Sequence, residues 1–232
     1  MGDLIALGCN DGSVQMWDTR KSYINTTHII RGAHIASNEI SSIRFSYNGN
    51  MILSRGMDCT MKLWDMRMLK SSRLTYTPGQ SRFEPLHAWS TGLYNRYTET
   101  DCFFSPDDRL AVTGVGCDER ATSQEQGALR FFDCTGATNF EPIQAEVKCA
   151  TRASVIRSLW HPKLNQIVAS NSDGTVRMLY DMQRSSRGAL LCSFRVKRKR
   201  MDVFTNAKNP IITRKNDLMI KMQLLLFAIF SF

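Results

Sequence analysis

The sequence predicts an all-β chain assembled from repeated antiparallel sheets, and three observations predict it. Short apolar stretches alternate with polar turns along most of its length. Four of these stretches share one grammar at comparable spacing. Tight turns on Asp11-Gly12, Asp58-Cys59 and Asp173-Gly174 sit at the same point of their stretches, where Gly accepts positive φ and Asp bonds the nearby backbone.

The elements follow in order. Aligned stretches run from Leu4 to Asp18, Phe45 to Asp65, Phe104 to Asp133 and Trp160 to Tyr180. A first strand ends in a polar turn at Phe45-Ser46-Tyr47-Asn48-Gly49, Phe104-Ser105-Pro106-Asp107-Asp108 and Trp160-His161-Pro162-Lys163-Leu164. A second strand then places Ile5-Ala6-Leu7, Ile52-Leu53-Ser54, Ala111-Val112-Thr113 and Ile167-Val168-Ala169 in equivalent positions. The Asp turn follows, and a third strand closes each unit at Trp17, Trp64, Phe132 or Leu179. Those closing residues lie 47, 68 and 47 apart. Insertions around Arg82 to Thr98 and Val115 to Gln126 account for the longer interval, and surface loops absorb such additions at little entropic cost.

Composition bounds the function. With 232 residues, 43% apolar and 22% charged, the chain suits one large domain or two small ones. A formal charge of +9 predicts an acidic partner, although seven of the thirty basic residues crowd between Arg184 and Arg200. The seven cysteines are scattered, without a CxxC or zinc-like spacing, which predicts a reducing compartment. Met1 to Ala6 lacks the basic and apolar regions of a secretion signal.

Trp17-Asp18 and Trp64-Asp65, closing units with a period in the forties, resemble the WD-repeat β-propellers. That family pins a blade with a hydrogen-bonded tetrad, which the second unit matches with His34, Ser54, Asp58 and Trp64. Elsewhere Leu7 and Ala169 replace the hydroxyl, Gln126 the Asp and Leu179 the Trp. The resemblance implies a partial propeller in residues 1–194: a half blade at 4–18, then four-stranded blades around 28–65, 75–133 and 150–181. That is about three and a half blades of an expected seven. Counting back from Trp17 as from Trp64 places Met1 inside a blade. Residues 195–232 are expected to be a basic linker and a divergent tail.

More specific wording carries a narrower resemblance. Phe45-Ser46-Tyr47-Asn48-Gly49-Asn50, Leu63-Trp64-Asp65-Met66-Arg67, Thr100 to Asp108, Leu159 to Ile167 and Arg187 to Cys192 are similar to the family of WD repeat-containing protein 70 and its gastrulation-defective homologues. The similarity runs from about Leu4 to about Arg200 and corresponds to the C-terminal half of that family's propeller. It implies a non-catalytic nuclear scaffold, a substrate receptor of a cullin-4 ubiquitin ligase acting in DNA damage response and histone H2B monoubiquitination. Its partners would be the cullin-4 adaptor and chromatin-associated proteins. The alternative is a nuclear scaffold in RNA processing or chromatin without the ligase.

Two motifs bear on that choice. Trp17-Asp18-Thr19-Arg20 and Trp64-Asp65-Met66-Arg67 resemble the WDxR boxes by which propellers dock to the ligase adaptor, since an Arg beyond the WD Asp can offer five donors at the rim. Plain strand ends with rim ion pairs are the competing reading. The run Arg195, Lys197, Arg198, Lys199 and Arg200 reads as a nuclear-localisation or phosphate-binding patch, or else as a solvated linker. It is the one place for direct nucleic-acid contact, because Phe45, Phe104, Phe131 and Trp160 fall in strand register and serve the core.

No phosphate loop, nucleophile elbow or metal constellation is present in the sequence, so no enzyme, cofactor, metal or small-molecule substrate is expected. His34 belongs to the tetrad, His161 precedes a turn Pro, and His28 and His87 are expected in loops. The apolar run Leu224 to Phe230 is far shorter than the roughly 20 residues that span a bilayer as a helix. No membrane partner is expected.

Overall fold

The computed structural model describes residues 3–71, 84–117, 127–136, 145–149, 152–181 and 185. Alternating apolar side chains make these segments strands, and the central strands of the two middle sheets are buried on both faces because those sheets are packed between others. The chain is all-β, as predicted, with four antiparallel sheets that match part of a WD-repeat propeller. The first sheet holds β1 (Leu4–Gly8), β2 (Val14–Asp18) and β3 (His28–Ile30). The second orders β4 (Ile40–Phe45), β5 (Met51–Gly56), β6 (Met61–Asp65) and β7 (His87–Trp89), with the short helix α1 (Met66–Ser71) following β6. The third runs β8 (Cys102–Phe104), β9 (Leu110–Val115), β10 (Ala128–Asp133) and β11 (Ala145–Lys148). β12 (Val155–His161), β13 (Gln166–Asn171) and β14 (Val176–Tyr180) form the fourth.

The sheets are offset by one strand from the repeat frame expected from sequence. Residues 28–30 do not pair with the rest of 28–65; they close the preceding sheet, with Val14 opposite Ile30 and Met16 opposite His28. Likewise β7 pairs with β6 and β11 with β10. After its closing strand the chain reverses and bonds the strand it has just left, before crossing to the next sheet. The sheets therefore cover 4–30, 40–89, 102–148 and 155–180. His28 and His87 stand in β3 and β7 rather than in loops. These outer strands are three residues each, too short for an alternation to be visible.

Three apolar layers lie between successive sheets. Val14, Met16, Ile30, Ile52 and Trp64 fill the first, and Leu53, Leu63, Trp89, Phe104 and Phe132 the second. Val112, Leu129, Phe131, Trp160 and Ile167 fill the third. β10 shows the period of two directly: Leu129 and Phe131 face the third layer while Phe132 faces the second. Phe132 is fully buried, its ring centroid 5.2 Å from that of Trp89.

Polar links join sheets at the turns. Asp108 adopts φ +59°, which aims its carboxylate at the neighbouring turn. Its two oxygens accept the Tyr47 and Asn48 amide N–H groups at 2.8 Å each. Cys59, at φ +60°, occupies the turn position that Gly12 and Gly174 fill at +77°. A side chain there carries a strain of about 1 kcal/mol that glycine avoids.

Candidate functional site

The most completely bonded polar group is in the second repeat. The Trp64 indole N–H donates to Ser54 Oγ at 2.9 Å, and Ser54 Oγ lies 2.8 Å from His34 Nε2. His34 Nδ1 lies 3.1 Å from both Asp58 oxygens and 2.9 Å from Thr60 Oγ1. With Nδ1 protonated toward Asp58, Nε2 accepts the Ser54 hydroxyl proton, and every member is satisfied. Asp58 also accepts the Ile35 and Thr60 amide N–H groups, both at 3.1 Å, and the Thr60 hydroxyl at 2.7 Å. Burial pushes the Asp58 carboxyl up, but the bonds from His34, Ile35 and Thr60 outweigh it and hold the group well below the usual carboxylate range.

Chemically this is the Ser–His–Asp order of a nucleophilic triad. Its placement makes it a structural relay. The side chains of His34 and Asp58 are fully buried, Ser54 is buried too, and the Ser54 oxygen already accepts the indole proton. Thr60 is a fifth member that the sequence reading omitted. Its signal was present, because Asp11-x-Ser13, Asp58-x-Thr60 and Asp173-x-Thr175 repeat one Asp turn closed by a hydroxyl.

The repeats that depart from the tetrad spend their polar groups differently. Thr113, at the Ser54 position, donates its hydroxyl to the Asp101 carbonyl at 2.9 Å. Trp17 is half-buried opposite Ile5, and the Leu7 that stands for the hydroxyl is exposed. Gln126 and the basic residues Arg195, Lys197, Arg198, Lys199 and Arg200 lie outside the described residues.

Both WDxR boxes leave their sheets in the same geometry. Arg20 donates Nε to Asp18 Oδ1 at 2.9 Å and Nη2 to Oδ2 at 3.0 Å. Arg67 repeats this on Asp65 at 3.0 and 2.7 Å. In each box the Asp also accepts the backbone N–H of the Arg two positions on, which sets the turn. The Arg20 guanidinium holds the Asp18 carboxyl down at about 2, and Arg67 lowers Asp65 in the same way. The arginine side chains remain 67% and 75% exposed. In the third repeat Thr135 takes the place of the Arg, bonding Asp133 through its N–H and hydroxyl. The forked arrangement thus belongs to the first two sheets.

Asp101 is a further feature that the repeat grammar did not single out. It is buried just before β8, and its two oxygens take the Ser158 amide N–H at 3.2 and 3.1 Å. Burial pushes its carboxyl up to about 6, against the Ser158 bonds and the charges of Arg44 and Arg157. A raised folded value means that the protonated group's stability contribution is complete below the ordinary value of 3.8 and is lost as pH rises through about 6. Asp101→Asn is therefore expected to flatten the urea midpoint between those two pH values. The penalty removed near neutrality is on the order of 2–3 kcal/mol. A slope identical to that of the parent would refute this assignment.

Three thiols are held in their protonated form. Burial pushes the thiols of Cys102 and Cys134 up to about 12 and that of Cys149 to about 11. Among the described residues there is no metal-binding cluster and no helix long and apolar enough to cross a membrane.

Comparison with known proteins places these sheets. Residues 25–65 match the model of the WD domain, G-beta repeat family. The chain is 44% identical over 210 residues to the gastrulation defective protein 1 homolog of Drosophila melanogaster, covering 90% of this chain and 29% of that protein. It is 40% identical over 212 residues to WD repeat-containing protein 70 of Xenopus laevis, covering 91% of this chain and 30% of that protein. Its identity to the Homo sapiens protein of that name is 38%, with 91% of this chain and 29% of that protein covered. The chain spans about three tenths of the length of the relatives it matches.

Proposed function

The chain belongs to the family of WD repeat-containing protein 70, and from that premise we propose that its sheets act as a substrate-receptor scaffold of a cullin-4 ubiquitin ligase. WD repeats form protein-interaction surfaces, and a scaffold works by holding partners rather than by chemistry. The observation that carries the ligase reading is the pair of forked boxes, Asp18 with Arg20 and Asp65 with Arg67. Each guanidinium is exposed, yet its own Asp holds it in one orientation. Docking through a pre-set side chain forfeits little rotamer entropy; the outer N–H groups of Arg67 can serve a partner's carbonyl or carboxylate, whereas Nη1 of Arg20 also meets Asp3 at 3.5 Å. Nuclear residence, with roles in DNA damage response and histone H2B monoubiquitination, belongs to the same proposal. The run Arg195 to Arg200 would serve as the import or phosphate-binding element.

Arg20→Ala combined with Arg67→Ala is expected to abolish co-precipitation of the cullin-4 adaptor from nuclear extract and leave the β-sheet circular dichroism unchanged. Losing anchoring contacts of this kind costs about 2 kcal/mol or more, a weakening of over tenfold. Undiminished adaptor recovery at physiological salt would reduce the boxes to rim ion pairs.

A second reading has its own support. Each fork is already neutralised by its Asp, as a plain strand-end ion pair would be. On that reading the protein is a nuclear scaffold of RNA processing or chromatin without the ligase. Recovery of ribonucleoprotein or chromatin subunits in place of the adaptor would favour it.

A further inference from the structure

Every sheet presents two faces, and the repeat decides which neighbour each face meets. On the forward face stand Val14 and Met16 in the first sheet, Met61 and Leu63 in the second, and Leu129 and Phe131 in the third. Each pair is buried in the layer against the sheet that follows. On the rear face stand Ile52 and Trp64 in the second sheet, Ala111 and Phe132 in the third, and Ile167 and Leu179 in the fourth. Each of these is buried against the sheet before it. Two faces are left over. The alternation of β14 puts Val176 and Met178 on the forward face of the fourth sheet, with Val168 of β13 paired to Met178. That of β1 puts Ile5 and Leu7 on the rear face of the first sheet, with Trp17 opposite Ile5.

Both faces are apolar like the buried ones, yet open. Val176 is 65% and Met178 48% exposed, whereas Leu129 and Phe131, at the same distance before the closing residue of their own repeat, are buried. Ile5 is 46% and Leu7 52% exposed, whereas the equivalent Ile52 and Ser54 are buried. Arg157 shares the forward face of the fourth sheet, but on β12 at the edge of that sheet, where its guanidinium can stay in water. A forward face without a rear face and a rear face without a forward face are the two halves of one further layer.

We propose that two copies of this chain associate head to tail, the forward face of the fourth sheet of each packing on the rear face of the first sheet of the other. A second copy carries, in the same register, the face that continues the three layers already present. Two such joints bring together eight sheets, four from each copy, and leave neither face open. Propellers close at roughly four to eight blades. A head-to-tail contact that closes makes a ring, whereas one that does not makes a filament. The pairing registers carry this inference, and it is independent of the ligase reading.

Sedimentation velocity of the full 232-residue chain is the test. The parent is expected to sediment as a pair at micromolar concentration. Met178→Glu or Leu7→Glu, each alone, should weaken association by about tenfold or more, since a carboxylate would be buried in the joint. Both side chains are exposed in the single copy, so each variant should keep the parent's unfolding midpoint, measured at a dilution where the parent is also single. Met178→Gln, the milder change, should weaken association in the same direction. An equimolar mixture of the Met178→Glu and Leu7→Glu chains should recover pairs, because each retains the face that the other has lost. Leu225→Asp with Phe227→Asp, in the apolar run Leu224 to Phe230, should change nothing. A parent that stays single would overturn the proposal and leave the faces to other sheets, such as those of a longer relative. Pairs that survive either face variant, pairs lost with the Leu225 and Phe227 change, or an open series of larger species would overturn it as well.

Discussion

Asp58→Ala is expected to lower the stability of the folded chain by about 3 kcal/mol. The carboxylate accepts from the His34 ring, the Thr60 hydroxyl and the amides of Ile35 and Thr60, and its side chain is fully buried. Truncation leaves those donors without an acceptor in a place water does not reach, and it frees the ring that orients Ser54 against Trp64. Urea unfolding followed by tryptophan fluorescence measures the loss, and a midpoint within error of the parent would show that the tetrad carries no stability. Acid gives a second readout. The folded carboxyl is depressed, so its contribution is present above the ordinary value of 3.8 and is lost as pH falls below it. Asp58→Asn should lose stability at neutrality and be less sensitive to acid than the parent, the opposite sign to Asp101.

Phe132→Ala should cost more, about 4 kcal/mol. The ring is fully buried between the second and third sheets, against Trp89 and among Leu53, Leu63 and Phe104. Sheets held by hydrogen-bonded ladders cannot collapse into the void, so lost burial and an unfilled cavity both count. Against a total stability of typically 5–15 kcal/mol this is a large fraction. Phe132→Leu should recover most of it. Chemical denaturation of the two variants side by side decides the matter: if they unfold together, ring volume is not what holds these sheets.

Much of this was legible in the chain. Trp17 and Trp64 marked the closing strands, and the Asp11, Asp58 and Asp173 turns fixed the hairpins between them, because tight turns have strict residue requirements. His34 could be linked to Ser54, Asp58 and Trp64 through the resemblance to the WD-repeat family, whose tetrad satisfies a buried indole, imidazole and carboxylate together. The outer strands were not legible. Three residues such as His28–Ile30 carry no period, and their partner is decided by where the chain turns back. Asp101 was read only as part of a strand-and-turn phrase, since its importance comes from Ser158, far away in sequence. The lock of Arg20 on Asp18 and Arg67 on Asp65 is local, but spacing alone does not say whether a guanidinium turns back or reaches outward.

The one-strand offset between repeats and sheets works like bricks laid in staggered courses. A repeat gives its opening strand to the sheet behind it and its other three to the sheet ahead, so no repeat owns a complete sheet. Loosening any one repeat strips the edge from one sheet and most of the next. Local opening is therefore shared across a joint rather than confined to a unit. The same bond pattern lets a whole repeat be gained or lost by gene duplication without leaving a half-paired seam, because whatever is inserted closes the course behind it and begins the next.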